Sequence, residues 1–182
     1  MGEYIGASQL DKHAEVLELR ETEPGVWTWE KAGMAWANIT FQSKNNLFSS
    51  VGIGARNAAV TVRRRPLTLH NALRWNGQHL FLTSVVSRGR NYLDVDAAVV
   101  APVVCSSDGV TFPAVWTEKY LRYAQEWPMS AVDMTMVLVT PKSITLRPGH
   151  LVYFEEKPWE ILVPHELDEW KNEYEIGRGA ES

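Results

Sequence analysis

The stretch RRRPLTLHNALRWNGQHLFLTSVVSRGRNYLDVDA, residues 63–97, decides the fold. At its centre Asn76-Gly77 separates Leu73-Arg74-Trp75 from Gln78-His79-Leu80-Phe81-Leu82. A two-residue type I′ turn needs φ > 0 at both positions, which Asn tolerates and Gly adopts freely. Leu73 and Trp75 lie two apart before the turn, and Leu80 and Leu82 two apart after it. That is the period of a strand with one buried face. After the breaker Ser87-Arg88-Gly89-Arg90 comes a third apolar run, Tyr92-Leu93-Asp94-Val95-Asp96. The spacing predicts a three-strand meander in a chain that is mainly β.

Upstream, Glu23-Pro24-Gly25 is a turn, and Val26-Trp27-Thr28-Trp29 alternates after it. Met34 to Phe41 forms a second strand-like run, with Lys31-Ala32-Gly33 between the two. Ala14 to Arg20 fits either a short strand or one amphipathic helical turn, and periodicity does not separate them over so few residues. Residues 1–13 read as a loose N-terminal arm. Residues 45–59, NNLFSSVGIGARNAA, break the pattern: they are rich in Ser, Gly and Asn yet carry Leu47, Phe48, Val51 and Ile53. A loop this long in a compact domain is either a mobile surface excursion or a functional element.

Downstream, residues 101–115 read as a connector containing Ser106-Ser107-Asp108-Gly109. Residues 116–128 are predicted helical: Tyr120, Tyr123 and Trp127 are spaced by three and four, Thr117 is a plausible N-cap and Pro128 ends the run. The last third resembles the middle at an offset of about 77 to 80 residues. Ser143-Ile144-Thr145-Leu146 parallels Pro66-Leu67-Thr68-Leu69. Leu151 to Phe154, the turn Glu155-Glu156-Lys157-Pro158, and Trp159 to Val163 then repeat strand, turn, strand, and Asn172 to Ile176 stands where Asn91 to Val95 does. The expected architecture is a small β-barrel over residues 14–100 with a long loop, then one helix. A second similar β-barrel or β-meander follows over residues 129–176, and residues 177–182 form a disordered tail.

A chain of 182 residues allows one domain or two small ones, and an apolar fraction of 45% can bury a core. Eight Trp residues are many for this size, and Trp is enriched where proteins meet each other. A net charge of −4 exerts no general pull toward nucleic acid or anionic membrane. The lone Cys105 excludes an intramolecular disulfide and a cysteine-based zinc site, and suits a reducing compartment. The first residues lack the basic region and apolar run of a signal peptide, and no stretch approaches 18 uninterrupted apolar residues. The expectation is a soluble product made in cytoplasm.

The central stretch also carries a family resemblance. Its Arg-containing start, the run Ala72-Leu73-Arg74-Trp75-Asn76-Gly77-Gln78-His79-Leu80-Phe81-Leu82 and the closing Tyr92-Leu93-Asp94-Val95-Asp96-Ala97 resemble the phage head–tail joining family, the head-closure or stopper proteins of long-tailed phages. Residues 26–41, VWTWEKAGMAWANITF, with Trp36, Ala37 and Ile39, are similar to the strand that usually precedes this motif. The likeness covers roughly residues 14–100 and rests on apolar positions and turns. It implies a virion protein of the neck, made in the host bacterial cytoplasm. Its subunits would form a ring of twelve or six copies under the portal or adaptor protein. That ring retains packaged double-stranded DNA in its channel and offers a platform to a tail-terminator or other tail protein. Residues 45–59, Leu47, Phe48 and Val51 above all, would then reach a neighbouring copy or the channel. Trp27, Trp29, Trp36 and Trp116 are the candidate exposed anchors. Family members usually carry a more helix-friendly, acidic segment at residues 45–59, and ordinary members have only the first barrel.

The residues advertise no enzyme, cofactor or metal site. His13, His70, His79, His150 and His165 do not pair at i, i+4, and His165-Glu166-Leu167-Asp168-Glu169 lacks a metalloprotease's second His. Asp94 and Asp96 share a strand face but have no visible convergent partner. Gly52-Ile53-Gly54 lacks the third glycine and the strand-to-helix setting of a dinucleotide site. The one basic concentration is Arg63-Arg64-Arg65, with Arg56, Arg74, Arg88 and Arg90 nearby. On a strand Arg63 and Arg65 share a face, to touch phosphates or to pair with this chain's carboxylates. Two alternative readings stay open. One is a nucleic-acid-binding small barrel, with Trp75, Phe81 and Tyr92 as stacking platforms. The other is a tail-terminator or tail-completion subunit.

Overall fold

The computed structural model describes residues 9–41, 56–118 and 136–178, and these are built almost wholly of β-strands. The first half contains β1 (Lys12–Glu23), β2 (Val26–Phe41), β3 (Arg56–Arg63), β4 (Asn71–Trp75), β5 (Gln78–Arg88) and β6 (Tyr92–Val100). They pair in the order β1-β4-β5-β6-β3-β2, and β2 pairs back onto β1, closing a six-stranded ring. The second half contains β7 (Val103–Ser107), β8 (Val110–Glu118), β9 (Met136–Pro141), β10 (Leu151–Phe154), β11 (Lys157–His165) and β12 (Lys171–Arg178). These pair as β8-β7-β10-β11-β12-β9, with β9 returning to β8. Strand for strand the second ring repeats the first: first with second, second with third, third with sixth, then sixth, fifth, fourth and back to first. Closure removes the sheet edges that an open β-protein must protect.

The central hairpin forms as its residues demand. Trp75 pairs with Gln78 across Asn76 and Gly77, whose φ values are 50° and 74°. Leu73 faces Leu80, and both side chains are fully buried. The equivalent turn of the second ring joins Phe154 to Lys157 through Glu155 and Glu156 at φ 49° and 64°. Left-handed backbone costs a non-glycine residue roughly 1–2 kcal/mol, so this copy of the turn is strained where the first is relaxed.

Several expectations are corrected. Lys12 and His13 belong to β1 and Leu10 is buried, so the chain is ordered before residue 14; residues 1–8 lie outside the described residues. Ala14 to Arg20 is strand, and its period is broken by a bulge. Val16 pairs with Gly33 but Leu17 with Lys31, leaving Ala32 as the extra residue. For the same reason Lys31-Ala32-Gly33 does not divide the next run, and β2 is one strand of 16 residues. Residues 101–115 are no connector but most of a hairpin, β7 and β8, turning on Asp108 and Gly109 at φ 50° and 79°. The second ring therefore starts at Val103 rather than at residue 129. Trp116 to Glu118 continue β8, against the predicted helix, because they are zipped to Met136–Leu138. The rest of that helix lies outside the described residues, as do residues 45–55 of the long loop; residues 56–59 are already β3. Gly177 and Arg178 complete β12 instead of starting a tail, and residues 179–182 lie outside the described residues.

Two apolar cores sit inside the rings. The first gathers Val16, Ile39, Val60, Leu73, Leu80, Leu82 and Val95, and the second Phe112, Leu138, Val152, Ile161, Tyr174 and Ile176. The cores trade residues. Beyond the bulge, Leu19 of β1 is buried in the second core and Trp27 and Trp29 pack on it, while Trp170, just before β12, packs on the first. A parallel contact joins the rings where Val26 pairs with Thr111, whose N–H donates to the Gly25 carbonyl at 2.7 Å. A Cβ on Gly25 would stand 3.2 Å from the Gly109 carbonyl oxygen at φ +77°, so this approach of two equivalent turns requires glycine.

Candidate functional site

A basic cleft opens where β3 ends. Arg63 is its last residue; the Arg64 N–H then donates to the Asn91 carbonyl at 2.7 Å and the chain leaves the ladder. The Arg65 guanidinium donates back to the Met34 carbonyl at 2.8 Å. Arg63, Arg64 and Arg65 thus do not alternate along one strand, as expected, but gather around one concavity of about 560 Å³ with Leu10, Met34, Ala35 and Trp36. No carboxylate lines it among the described residues. Trp36 is 56% exposed, its ring stacked on His13 at 4.6 Å, from opposing positions of β1 and β2.

Other arginines do meet carboxylates. Glu15 receives both Arg74 and Lys31, and those bonds hold its carboxyl below the usual range. Arg88 lies 3.4 Å from Asp94, whose carboxylate also accepts from the Thr61 hydroxyl at 2.9 Å. Arg56 sits over the Phe41 ring at 5.0 Å. The three arginines of the cleft have no carboxylate partner among the described residues.

The tryptophans divide. Trp36 stands exposed, as expected of an anchor. Trp27 and Trp29 are half-buried against the second core, and Trp116 is packed between Phe154 and Trp159 at 4.9 Å from each ring. These three are corrected to internal packing: Trp27 and Trp29 because the β1–β2 hairpin runs on into the second barrel, Trp116 because β8 is itself a strand of that barrel. Phe81, offered as a stacking platform, is buried, and Trp75 packs on the first core beside Phe41. Leu47, Phe48 and Val51 lie outside the described residues.

Between the barrels lies a dry seam that the sequence did not point to. His79 meets Trp29 with ring centroids 5.3 Å apart, among Phe81, Pro102, Pro113, Ala114, Val115 and Pro141. Its Nε2 is buried with no hydrogen-bond partner among the described residues. Burial, with the Arg74 charge second, pushes its pKa down to about 4. Opposite Pro141 on β12 is Lys171, a buried ammonium 2.6 Å from Glu173 and 3.0 Å from Asp168. Cys105 is buried too, which raises its thiol to about 12.

Charge is unevenly shared. Residues 1–100 hold eleven Lys/Arg and nine Asp/Glu, a balance of +2; residues 101–182 hold seven and thirteen, a balance of −6; together these make the net −4. At the exposed β10–β11 turn Glu155 and Glu156 have no ion pair among the described residues. Beside the turn Tyr153 and Leu151 are exposed on the outer face of β10, and Val104 on β7.

Compared with protein-family models, with curated proteins and with solved structures, the chain matches none.

Proposed function

We propose that the chain is a structural subunit of a phage neck, a head–tail connector of the head-closure kind. It forms a ring that retains packaged DNA and offers the tail its attachment platform. The observation that carries this reading is the polarity of the molecule: two barrels of one topology, joined through shared cores, with opposite net charge. A subunit whose two halves attract each other across copies suits a heterologous contact, and such a contact makes a ring when its rotation closes. The resemblance of residues 26–41 and 63–97 to head–tail joining proteins supports a place at the neck of the virion. An acidic second barrel also suits a channel through which DNA slides, since affinity for DNA grows with each phosphate neutralised. The portal or adaptor protein on one side and a tail protein on the other are the implied neighbours.

Deleting the gene from its phage and imaging the lysate by electron microscopy tests this. Emptied heads beside complete, unattached tails are expected. Normal infectious particles would overturn the reading. Filled heads with overlong or unfinished tails would move the protein to the tail side, as a terminator or completion subunit. One observation favours a second reading: the three arginines around the exposed Trp36 could follow a nucleic-acid backbone while the indole stacks on a base. Tight, salt-sensitive DNA binding by the isolated protein would promote it.

A further inference from the structure

We infer that the arginine cleft of the first barrel receives the Glu155–Glu156 turn of a second copy of this chain. The inference deepens the ring-subunit reading and rests on it, by naming the contact between neighbours.

Four observations converge. The cleft brings three arginines together with no carboxylate on its lining among the described residues. The turn presents two adjacent carboxylates, exposed and without an ion pair among the described residues. Within one chain the two do not meet, so their complementarity is left for another copy. The surroundings match as well, since Met34 and Trp36 flank the cleft and Leu151 and Tyr153 flank the turn, all exposed apolar groups. An interface with apolar anchors around charge-assisted Arg–carboxylate forks is well suited to specific docking.

The turn's own chemistry adds the decisive argument. The topologically equivalent turn of the first barrel is Asn76-Gly77, residues at ease with positive φ. The second barrel keeps two glutamates in that strained conformation. Backbone strain at an exposed tip, where no packing requires those side chains, is the kind of feature found at ligand clamps and contact sites. Both positive φ values hold the hairpin tip in one shape, so the pair of carboxylates is presented pre-organised.

Cysteine pairing tests the contact with the cleft arginines and the turn glutamates left in place. Met34→Cys is introduced at the cleft in one chain and Lys157→Cys beside the turn in another; the native Cys105 is buried and does not compete. The two chains are mixed at high concentration under mild oxidation. The mixed disulfide should predominate over both like pairs. Arg63→Glu/Arg64→Glu in the first chain, or Glu155→Arg/Glu156→Arg in the second, should slow its formation roughly 30-fold or more, as expected for unpairing interface charges. Combining the two reversals should restore it. Unaltered thermal unfolding of each variant shows that the fold is intact. Equal yields of all disulfides, insensitivity to either reversal, or failure of the combined swap would each overturn the inference. Protection of Met34→Cys by duplex DNA, with the turn reversal without effect, would overturn it too and assign the cleft to nucleic acid. These outcomes are separable from the phage experiment. Specific pairing with no neck phenotype would sink the connector reading alone, and a neck phenotype without this pairing would sink the contact alone.

Discussion

Lowering the pH from 7 to 5 should loosen the joint between the barrels through one side chain. Buried His79 keeps its imidazole at about 4, against 6.5 for the free side chain, through burial first and the Arg74 charge second. Between those values the unfolded chain binds a proton that the folded chain refuses, so stability rises with pH there. The contribution is fully present above about 6.5 and is lost as pH falls toward 4. A gap of two and a half units at 1.36 kcal/mol each corresponds to about 3 kcal/mol, of which about 2 kcal/mol disappears between pH 7 and pH 5. Glu15 works in the opposite range: its lowered carboxyl weakens the fold only as pH falls below the ordinary 4.5. Urea unfolding at pH 7, 6 and 5, on the parent and on His79→Leu, isolates the imidazole. The parent should lose about 2 kcal/mol more than the variant over that interval. Parallel pH profiles would refute the argument, because they would mean that His79 takes its proton in the folded state as readily as in the unfolded one.

Three further outcomes are expected. Replacing Glu155-Glu156 by Asn-Gly should relieve two left-handed positions and stabilise the chain by about 2 kcal/mol in urea unfolding, while abolishing pairing between copies. Lys171→Met leaves Glu173 a buried carboxylate without the ammonium that stands 2.6 Å from it. It should cost about 3–5 kcal/mol by denaturation, most of it recovered by adding Glu173→Leu. Gly25→Ala should cost about 1–2 kcal/mol in thermal unfolding, from its φ of +77° and the Gly109 carbonyl 3.2 Å away, whereas Gly89→Ala, in open space at φ +61°, should show the backbone strain alone.

Where local chemistry governs, residues predict structure well. Asn76-Gly77 between alternating apolar runs yields β4 and β5, and the weaker echo around residue 155 leads to β10, β11 and β12. Asp108-Gly109 carries the same kind of signal. Its hairpin is hidden because Pro102, Pro113 and a serine pair make the flanks read as loop, although Pro113 stands in register opposite Val104. The bulge at Ala32 conceals β1 and the continuity of β2, since one extra residue defeats a period of two. The cleft was half legible: the arginine run is plain in the sequence, but its gathering around Trp36 depends on β3 ending at Arg63 beside β2. The seam was not legible at all. His79 sits in an apolar run like any strand residue, and Trp27 and Trp29 look like surface anchors until the second barrel is there to cover them.

That shared interior imposes an order on the protein's birth. When residue 100 has been made, β1 to β6 can pair, yet Leu19, Trp27 and Trp29 face nothing and the first core waits for Trp170. At roughly 5–20 residues per second, the remaining residues 101–182 need several seconds to arrive. Through that interval the nascent half carries an uncovered apolar patch, which only its own later half is shaped to fill. A first ring made alone would therefore carry that patch exposed, and the second ring is what covers it.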